Sequence, residues 1–166
     1  TNTGYPSWLY PVTQGATSIW ERLNSMTHEA GFGGNNSMNS FNHYAFGSVT
    51  NWLMQRSLGI ARDEERPGFQ HFYLQPLADP TGALQYAKGY YDSPYGRIES
   101  SWEIKADGVE YRFTVPANSS ATLRLRAKSL RSIQQDGGLI EKGAHFADGE
   151  VEMELVAGSY RFFVKK

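Results

Sequence analysis

Residues 97–115 read RIESSWEIKADGVEYRFTV. On both sides of Ala106-Asp107-Gly108, apolar and polar residues alternate one by one, which is the pattern of β-strands with one buried face and one wet face. Asp and Gly tolerate the positive φ of a tight turn, so the stretch predicts two antiparallel strands joined at 106–108.

The same alternation continues towards the C-terminus. It recurs in residues 121–125, 150–155 and 160–164. Turn-forming residues separate these segments at Pro116-Ala117-Asn118, Asp136-Gly137-Gly138 and Ala147-Asp148-Gly149. Strands this short and this regularly spaced predict an antiparallel β-sandwich.

The first third of the chain has a different period. Its apolar residues fall at helical spacing, which predicts helices over about 16–24 and about 40–57. The apolar stripe of the second helix consists of Phe41, Ala45, Val49, Trp52 and Leu53. Between the two helices, Gly31–Ser37 is rich in glycine and asparagine and predicts an irregular loop.

The charged run at 62–66, followed by Pro67-Gly68, is the predicted boundary between the two parts. We therefore expect an α+β chain, with residues 1–66 helical and residues 67–166 forming the sandwich. Two helices cannot bury their apolar faces by themselves. The helical part must pack on the sandwich, on another chain or on a segment that is absent here.

Composition excludes several classes of function. The formal net charge is -1 and the pI is about 6.4, so no basic field would attract nucleic acid or anionic lipid. There is no cysteine, and the four histidines are too scattered for a zinc motif. Phosphate-binding and calcium-binding loops are also missing, so we expect neither a metal nor a cofactor. No apolar run approaches the roughly 20 residues that span a bilayer.

Two polar residues in the helical part are candidates for chemistry. Glu21 directly follows Trp20, and a carboxylate partly desolvated beside an indole accepts a proton from water more readily. The alternative for Glu21 is a solvated helix acid or an ion pair with Arg22. His43 lies among polar and aromatic residues, the combination that grips sugars. The alternative for His43, and the commoner case for such a residue, is a helix-cap histidine hydrogen-bonded to backbone.

Four blocks of sequence identify the family that the chain resembles. They are Gly4-Tyr5-Pro6-Ser7-Trp8, Gly15-Ala16-Thr17-Ser18-Ile19-Trp20-Glu21-Arg22, Met38-Asn39-Ser40-Phe41-Asn42-His43-Tyr44-Ala45-Phe46-Gly47 and Ser93-Pro94-Tyr95-Gly96. In order and spacing they resemble the C-terminal region of bacterial α-L-rhamnosidases of glycoside hydrolase family 78. The resemblance implies the last helices of an (α/α)6 barrel, followed by a C-terminal β-sandwich.

The resemblance also implies roles. Glu21 would be the general base of an inverting glycosidase, and His43 would contact the bound rhamnose. The family's general acid lies in an upstream acidic motif that no segment here resembles. Inversion needs both an acid and a base, so we expect the 166-residue chain alone to be inactive. Its partners would then be the missing N-terminal part of the same chain and a rhamnose-containing glycoside or polysaccharide. The beginning at Thr1 has no initiator-like or signal-like residues, and we expect that an upstream segment has been removed.

Three hypotheses follow. The chain is a truncated piece of an inverting glycosidase, or it is a carbohydrate-binding module that uses Tyr90, Tyr91 and Tyr95. In the third, the sandwich is purely structural and stabilises the barrel. We favour the glycosidase piece, with a structural role for the residues beyond Pro67.

Overall fold

The computed structural model describes residues 2–32, 39–140 and 143–166. The chain divides into two compact units, residues 1–51 and residues 52–166. Most of the predicted loop at 31–37 lies outside the described residues.

The helical segments are short. α1 is Tyr10–Thr13 and α2 is Val49–Trp52. A 3₁₀ turn at Tyr44–Ser48 precedes α2, and a wide π-type turn at Leu53–Ser57 follows it. The predicted second helix is therefore confirmed from Tyr44 onward, although its winding is irregular. It ends as expected at Leu58-Gly59, where Gly59 has a φ of 73°.

The predicted helix at 16–24 is wrong. Those residues form bends and turns, and α1 ends just before them. The reason is a long-range pairing: backbone groups of Ile19 and Glu21 are bonded to residues 40–43 and are not free for helical bonds. For the same reason the second helical segment begins at Tyr44 and not at Ser40.

The second unit contains two sheets. The strands are β1 (Ile60–Arg62), β2 (His71–Leu74), β3 (Tyr86–Ser93), β4 (Gly96–Lys105), β5 (Gly108–Val115), β6 (Ser120–Arg126), β7 (Ile133–Gln135), β8 (Gly138–Leu139), β9 (Ala144–Ala147), β10 (Glu150–Leu155) and β11 (Gly158–Lys165). Within the described residues they form a five-stranded sheet, β1-β2-β6-β10-β9, and a six-stranded sheet, β3-β4-β5-β11-β7-β8. β2 and β6 pair in parallel, whereas the neighbouring pairs are antiparallel.

The predicted fold class, helices followed by a β-sandwich, is confirmed. The inward residues of both sheets form one core cluster. Phe72, Leu123 and Val151 come from one sheet, and Ile98 and Phe162 from the other, and all five are buried. Burial alternates along β4 and β10 as the sequence predicted, and along β5 from Tyr111 to Val115, whereas Glu110 is buried and breaks the pattern.

The predicted turns are also confirmed. Asn118, Asp136 and Asp148 have φ values of 59°, 50° and 52°, in the left-handed region that Asn and Asp tolerate better than most residues.

The segment before β1 is anchored to the sandwich within the second unit. The buried Trp102 donates from Nε1 to the Ser57 carbonyl at 2.7 Å, and the Ser100 hydroxyl donates to the Leu58 carbonyl. The Leu58 side chain lies against Gly89, where an added Cβ would stand 2.4 Å from Leu58 Cδ1. β1 then pairs with β2, so the five-stranded sheet begins ahead of the charged run at 62–66.

Candidate functional site

Residues 18–21 and 40–43 lie side by side and bring both candidate residues into one cluster. The Glu21 amide donates to the Ser40 carbonyl at 2.8 Å, and the His43 amide donates to the Ile19 carbonyl at 2.8 Å. The Ser18 hydroxyl donates to the Phe41 carbonyl. These three bonds fix the backbone of one segment against the other.

Glu21 is half-buried, and its carboxylate is oriented by the same pairing. Oε2 accepts a hydrogen bond from the Ser40 backbone amide at 2.7 Å. Among the described residues Oε1 has no hydrogen-bond partner. Ser40 thus holds one of the two carboxylate oxygens in place.

His43 is also half-buried, and its ring lies in an aromatic environment. The centroids of the His43 and Phe46 rings are 5.2 Å apart, and the Phe46 ring meets Trp8 edge-on at 5.9 Å. Because the backbone amide of His43 is already bonded to Ile19, the imidazole is not needed to hold the chain. Within the described residues, the imidazole has the ring contact with Phe46 and no hydrogen-bond partner.

An aromatic cluster supports the paired segments. Trp20 is buried and meets Phe41 edge-on at 5.2 Å, and Phe32 meets the same ring at 5.1 Å. Edge-to-face packing at these distances stabilises and orients rings. Trp20 and Phe41 are the direct chain neighbours of Glu21 and Ser40, so the cluster keeps the carboxylate and its amide donor in register.

The turn that follows Glu21 is closed by a buried serine. The Ser25 hydroxyl lies 2.6 Å from the Arg22 carbonyl and 2.7 Å from Asn39 Oδ1. This contact again joins the first segment to the residues just before Ser40. Sequence reasoning singled out neither Ser25 nor Ser40, although Ser40 lies in a block that carries the resemblance.

The three tyrosines considered for sugar binding do not share one surface. Tyr90 and Tyr91 are adjacent in β3 and lie on opposite faces of the sheet. Tyr91 packs against Phe69 with ring centroids 4.5 Å apart, and Tyr90 lies under the Arg97 guanidinium at 3.8 Å. Tyr95 lies in the turn after β3.

A second buried polar cluster lies in the sandwich. His71 contacts the Ser120 hydroxyl through Nδ1 at 2.8 Å and the Thr122 hydroxyl through Nε2 at 3.0 Å. Thr122 donates its own proton to Glu154, so its oxygen accepts from Nε2–H. With both ring nitrogens bonded, His71 joins the parallel strands β2 and β6.

The described part of the chain lacks both a metal-binding cluster and a membrane-spanning helix. No group of three or more His, Cys, Asp or Glu side chains that could hold a metal ion was found in residues 2–32, 39–140 and 143–166. In those same ranges no helix has both the length and the apolar character needed to cross a membrane.

Two family models of known proteins match the chain. Residues 1–56 match the family model for the bacterial α-L-rhamnosidase six-hairpin glycosidase domain, and residues 59–139 match that for the bacterial α-L-rhamnosidase C-terminal domain. The chain belongs to the bacterial α-L-rhamnosidase family. The two matches meet between 56 and 59, where Gly59 precedes β1.

Similarity to individual α-L-rhamnosidases supports this family membership. An α-L-rhamnosidase of Formosa agariphila is 34% identical over 99% of the chain, and one of Alteromonas sp. (strain LOR) is 41% identical over 70%. The crystal structure of Streptomyces avermitilis α-L-rhamnosidase complexed with L-rhamnose superposes with a TM-score of 0.80, at 32% identity over 99% of the chain. The chain spans 18%, 12% and 15% of these three proteins, respectively.

Proposed function

We propose that the chain acts as part of a longer, inverting α-L-rhamnosidase that hydrolyses terminal α-L-rhamnosyl residues. In that enzyme Glu21 is the general base, and His43 contacts the bound sugar. The end of the catalytic barrel would then extend to about residue 58, and the C-terminal sandwich would begin with β1, ahead of the boundary expected at residue 66. The observation that supports the proposal is the pairing of residues 18–21 with 40–43, which joins the two sequence blocks that carry Glu21 and His43.

The geometry of Glu21 suits a base. An inverting glycosidase needs a carboxylate that takes a proton from water as the water attacks the anomeric carbon. The Ser40 amide fixes one oxygen of Glu21, and Oε1 has no partner among the described residues. A carboxylate held in this way presents the same oxygen to water in every catalytic cycle.

The acidic residues of the first unit explain why the chain would supply a general base but no general acid. Residues 1–51 contain two acidic residues, Glu21 and Glu29. Glu29 is exposed, whereas the general acid of a glycosidase works in a partly desolvated cleft. We therefore assign the general acid to another part of the longer protein, about 6.5–9.5 Å from the base in the assembled cleft.

Exposed aromatic residues support the assignment to a larger assembly. Tyr44 is 90% exposed and Trp52 is 59% exposed, and Trp8 and Leu53 are also largely in contact with solvent. Side chains of this type cover apolar neighbours in most proteins. In a longer rhamnosidase, further helices of the barrel would cover them. The S. avermitilis relative, whose structure contains L-rhamnose, supports rhamnose as the sugar.

A pair of variants in the longer enzyme tests the proposal. Glu21→Gln keeps an oxygen that can accept from the Ser40 amide, so the fold should persist, while turnover of a rhamnoside should fall by about 10²–10⁴-fold, the usual contribution of a general base. Glu29→Gln, a matched control in the same unit, should leave turnover within about twofold of the parent enzyme. Full activity in Glu21→Gln would refute the role of Glu21.

The 166-residue chain provides a second test. Without a general acid it should show no rhamnoside hydrolysis above the buffer rate. Hydrolysis by this chain that disappears in Glu21→Gln would refute the assignment of the acid to another part of the protein.

A further inference from the structure

The outward face of β3, β4, β5 and β11 is concave, and the cavity along it has a volume of about 1130 Å³. Four side chains lie next to one another in a single row across it, one from each strand, and each carries hydrogen-bond donors. The row consists of Lys88, Ser101, Arg112 and Arg161. Neighbouring strands are about 4.8 Å apart, so the row extends over about 14 Å.

A buried carboxylate organises two members of this row. Glu110 is 8% exposed, and it accepts from Arg112 Nε at 2.9 Å and from Arg161 Nε at 2.7 Å. The two arginine side chains are more than half exposed. Their guanidinium groups are therefore held in place from the sheet side, and N–H groups that Glu110 does not use remain accessible. Such preorganised donors bind a ligand at a lower cost in conformational entropy.

Two tyrosines flank the row on β3. Tyr86 and Tyr90 lie on the same face as Lys88 and two residues to either side of it, and they are 69% and 54% exposed. The Arg97 guanidinium lies over the Tyr90 ring at 3.8 Å, so Tyr86 is the more open of the two rings. Exposed tyrosine rings beside hydrogen-bonding groups suit sugars, since the C–H face of a pyranose packs on an aromatic ring while its hydroxyl groups bond to polar side chains.

The charges of the surface favour a neutral ligand. Its lining includes four basic side chains, Lys88, Lys105, Arg112 and Arg161, and four acidic ones, Glu99, Glu103, Glu110 and Asp136. The formal charges cancel, so the face lacks the single-signed field that attracts a polyanion. A mixture of donors and acceptors matches hydroxyl groups, because each hydroxyl both donates and accepts.

We propose that this concave face binds a neutral saccharide chain, with a sugar ring packed on Tyr86 and its hydroxyl groups bonded to the row from Lys88 to Arg161. Its lining residues belong to the second unit and do not include Glu21 or His43, so the proposal does not depend on the roles of those two residues. It replaces the earlier set of Tyr90, Tyr91 and Tyr95, because those residues do not share a face.

The experiment is a titration of the 166-residue chain with an α-linked rhamnotriose and, in parallel, with cellotetraose, followed by calorimetry and by NMR. Tyr86→Ala and Lys88→Ala are the test variants. Neither side chain makes a hydrogen bond, ion pair or ring contact within the described residues, so both variants should fold. Tyr95→Ala and Arg126→Ala, which lie outside the concave face, are the matched controls.

At least one saccharide should bind, and each test variant should weaken binding by about tenfold or more while the controls stay within about twofold. NMR shifts in the parent chain should concentrate on β3, β4, β5 and β11, a readout that does not depend on any variant. The proposal is overturned if neither saccharide binds, or if the shifts lie elsewhere. It is equally overturned if His43→Ala abolishes binding while Tyr86→Ala and Lys88→Ala leave it unchanged.

Discussion

Glu21 and Ser40 are joined twice: the Ser40 amide donates to the Glu21 carboxylate at 2.7 Å, and the Glu21 amide donates to the Ser40 carbonyl at 2.8 Å. The side chain and the backbone of the candidate base are thus both fixed by Ser40, 19 residues away. A catalytic carboxylate benefits from such support, because small displacements of a reacting group are costly.

His43 is expected to contribute to sugar binding and not to the stability of the fold. In the longer enzyme, His43→Ala should lower kcat/KM by about 10²-fold or more, the loss expected when a site built to hydrogen-bond a substrate loses one partner. Its amide bond to Ile19 is a backbone bond and persists in the variant. Steady-state kinetics together with thermal unfolding measure both effects. A variant that unfolds easily while kcat/KM of the folded fraction is unchanged would show a structural role.

The junction at Gly59 is expected to tolerate no side chain. Gly59 has a φ of 73°, and an added Cβ would lie 2.0 Å from Pro76 N and 2.4 Å from the Gln75 carbonyl carbon. Gly59→Ala should lower the free energy of unfolding by about 2–5 kcal/mol, from backbone strain and overpacking together. Urea denaturation measures this change.

The matched control for Gly59 is Gly149→Ala. Gly149 has a φ of 79°, but nothing lies within 4 Å of its added Cβ. That variant should lose only about 1–2 kcal/mol from strain. Equal losses at both positions would contradict the steric explanation.

Glu110 should give the sandwich an acid-sensitive contribution to stability. Burial alone would raise the pKa of Glu110, but hydrogen bonds from Arg161 and Arg112 outweigh it and hold the pKa below its ordinary value of 4.5. A folded-state pKa below the unfolded one stabilises the protein above the unfolded pKa, and this stability is lost as the pH falls through the folded pKa. Glu110→Gln should therefore destabilise the chain at pH 7, and its difference from the parent should shrink below pH 4.5.

Denaturation at several pH values tests this prediction for Glu110. Glu152→Gln removes an exposed cross-strand partner of Arg124 and should change stability by less than about 1 kcal/mol at pH 7. If the effect of Glu110→Gln is the same at every pH, the carboxylate charge is not the cause.

Tyr111 should limit stability in alkali. Burial raises the pKa of Tyr111 from 10.0 to about 12, so the folded state favours the neutral phenol. This stabilisation is complete below the unfolded pKa of 10.0 and is lost as the pH rises from there through about 12. The full loss is about 3 kcal/mol. Tyr111→Phe should not show it, while Tyr86→Phe, at an exposed position, should behave like the parent chain. If the free energy of unfolding falls by the same amount in the parent chain and in Tyr111→Phe between neutral and high pH, this prediction is wrong.

The sandwich could be predicted from sequence because its signals are local. Alternation with period two placed Ile98, Ser100 and Trp102 on one face, and all three are buried. Asn118 and Asp136 lie in turns for the conformational reason that predicted them. Glu110 shows the limit of this approach: alternation puts it on the wet face, yet the arginines of its own strand and of β11 cover it.

The helical part was harder to predict because its decisive contacts are distant in sequence. Ile19 and Trp20 have helical spacing, and nothing near them indicates pairing with residues 40–43. Glu21 and His43 were found through resemblance, since their local chemistry is that of many surface residues. For the concave face, a usable signal was present: Tyr86, Lys88 and Tyr90 share a period of two, whereas the adjacent pair Tyr90 and Tyr91 cannot face the same way in a strand.

The most direct test of the central claim removes the Glu21 carboxylate in the longer enzyme and supplies azide. Glu21→Ala leaves no base to deprotonate water, so hydrolysis of an activated rhamnoside should be almost lost. Azide needs no deprotonation and could attack the anomeric carbon in the space that the carboxylate vacates. We expect azide to restore consumption of the substrate and to yield a rhamnosyl azide of inverted configuration. No rescue by azide in a folded Glu21→Ala protein, or a product of retained configuration, would contradict the assignment of Glu21 as the base of an inverting rhamnosidase.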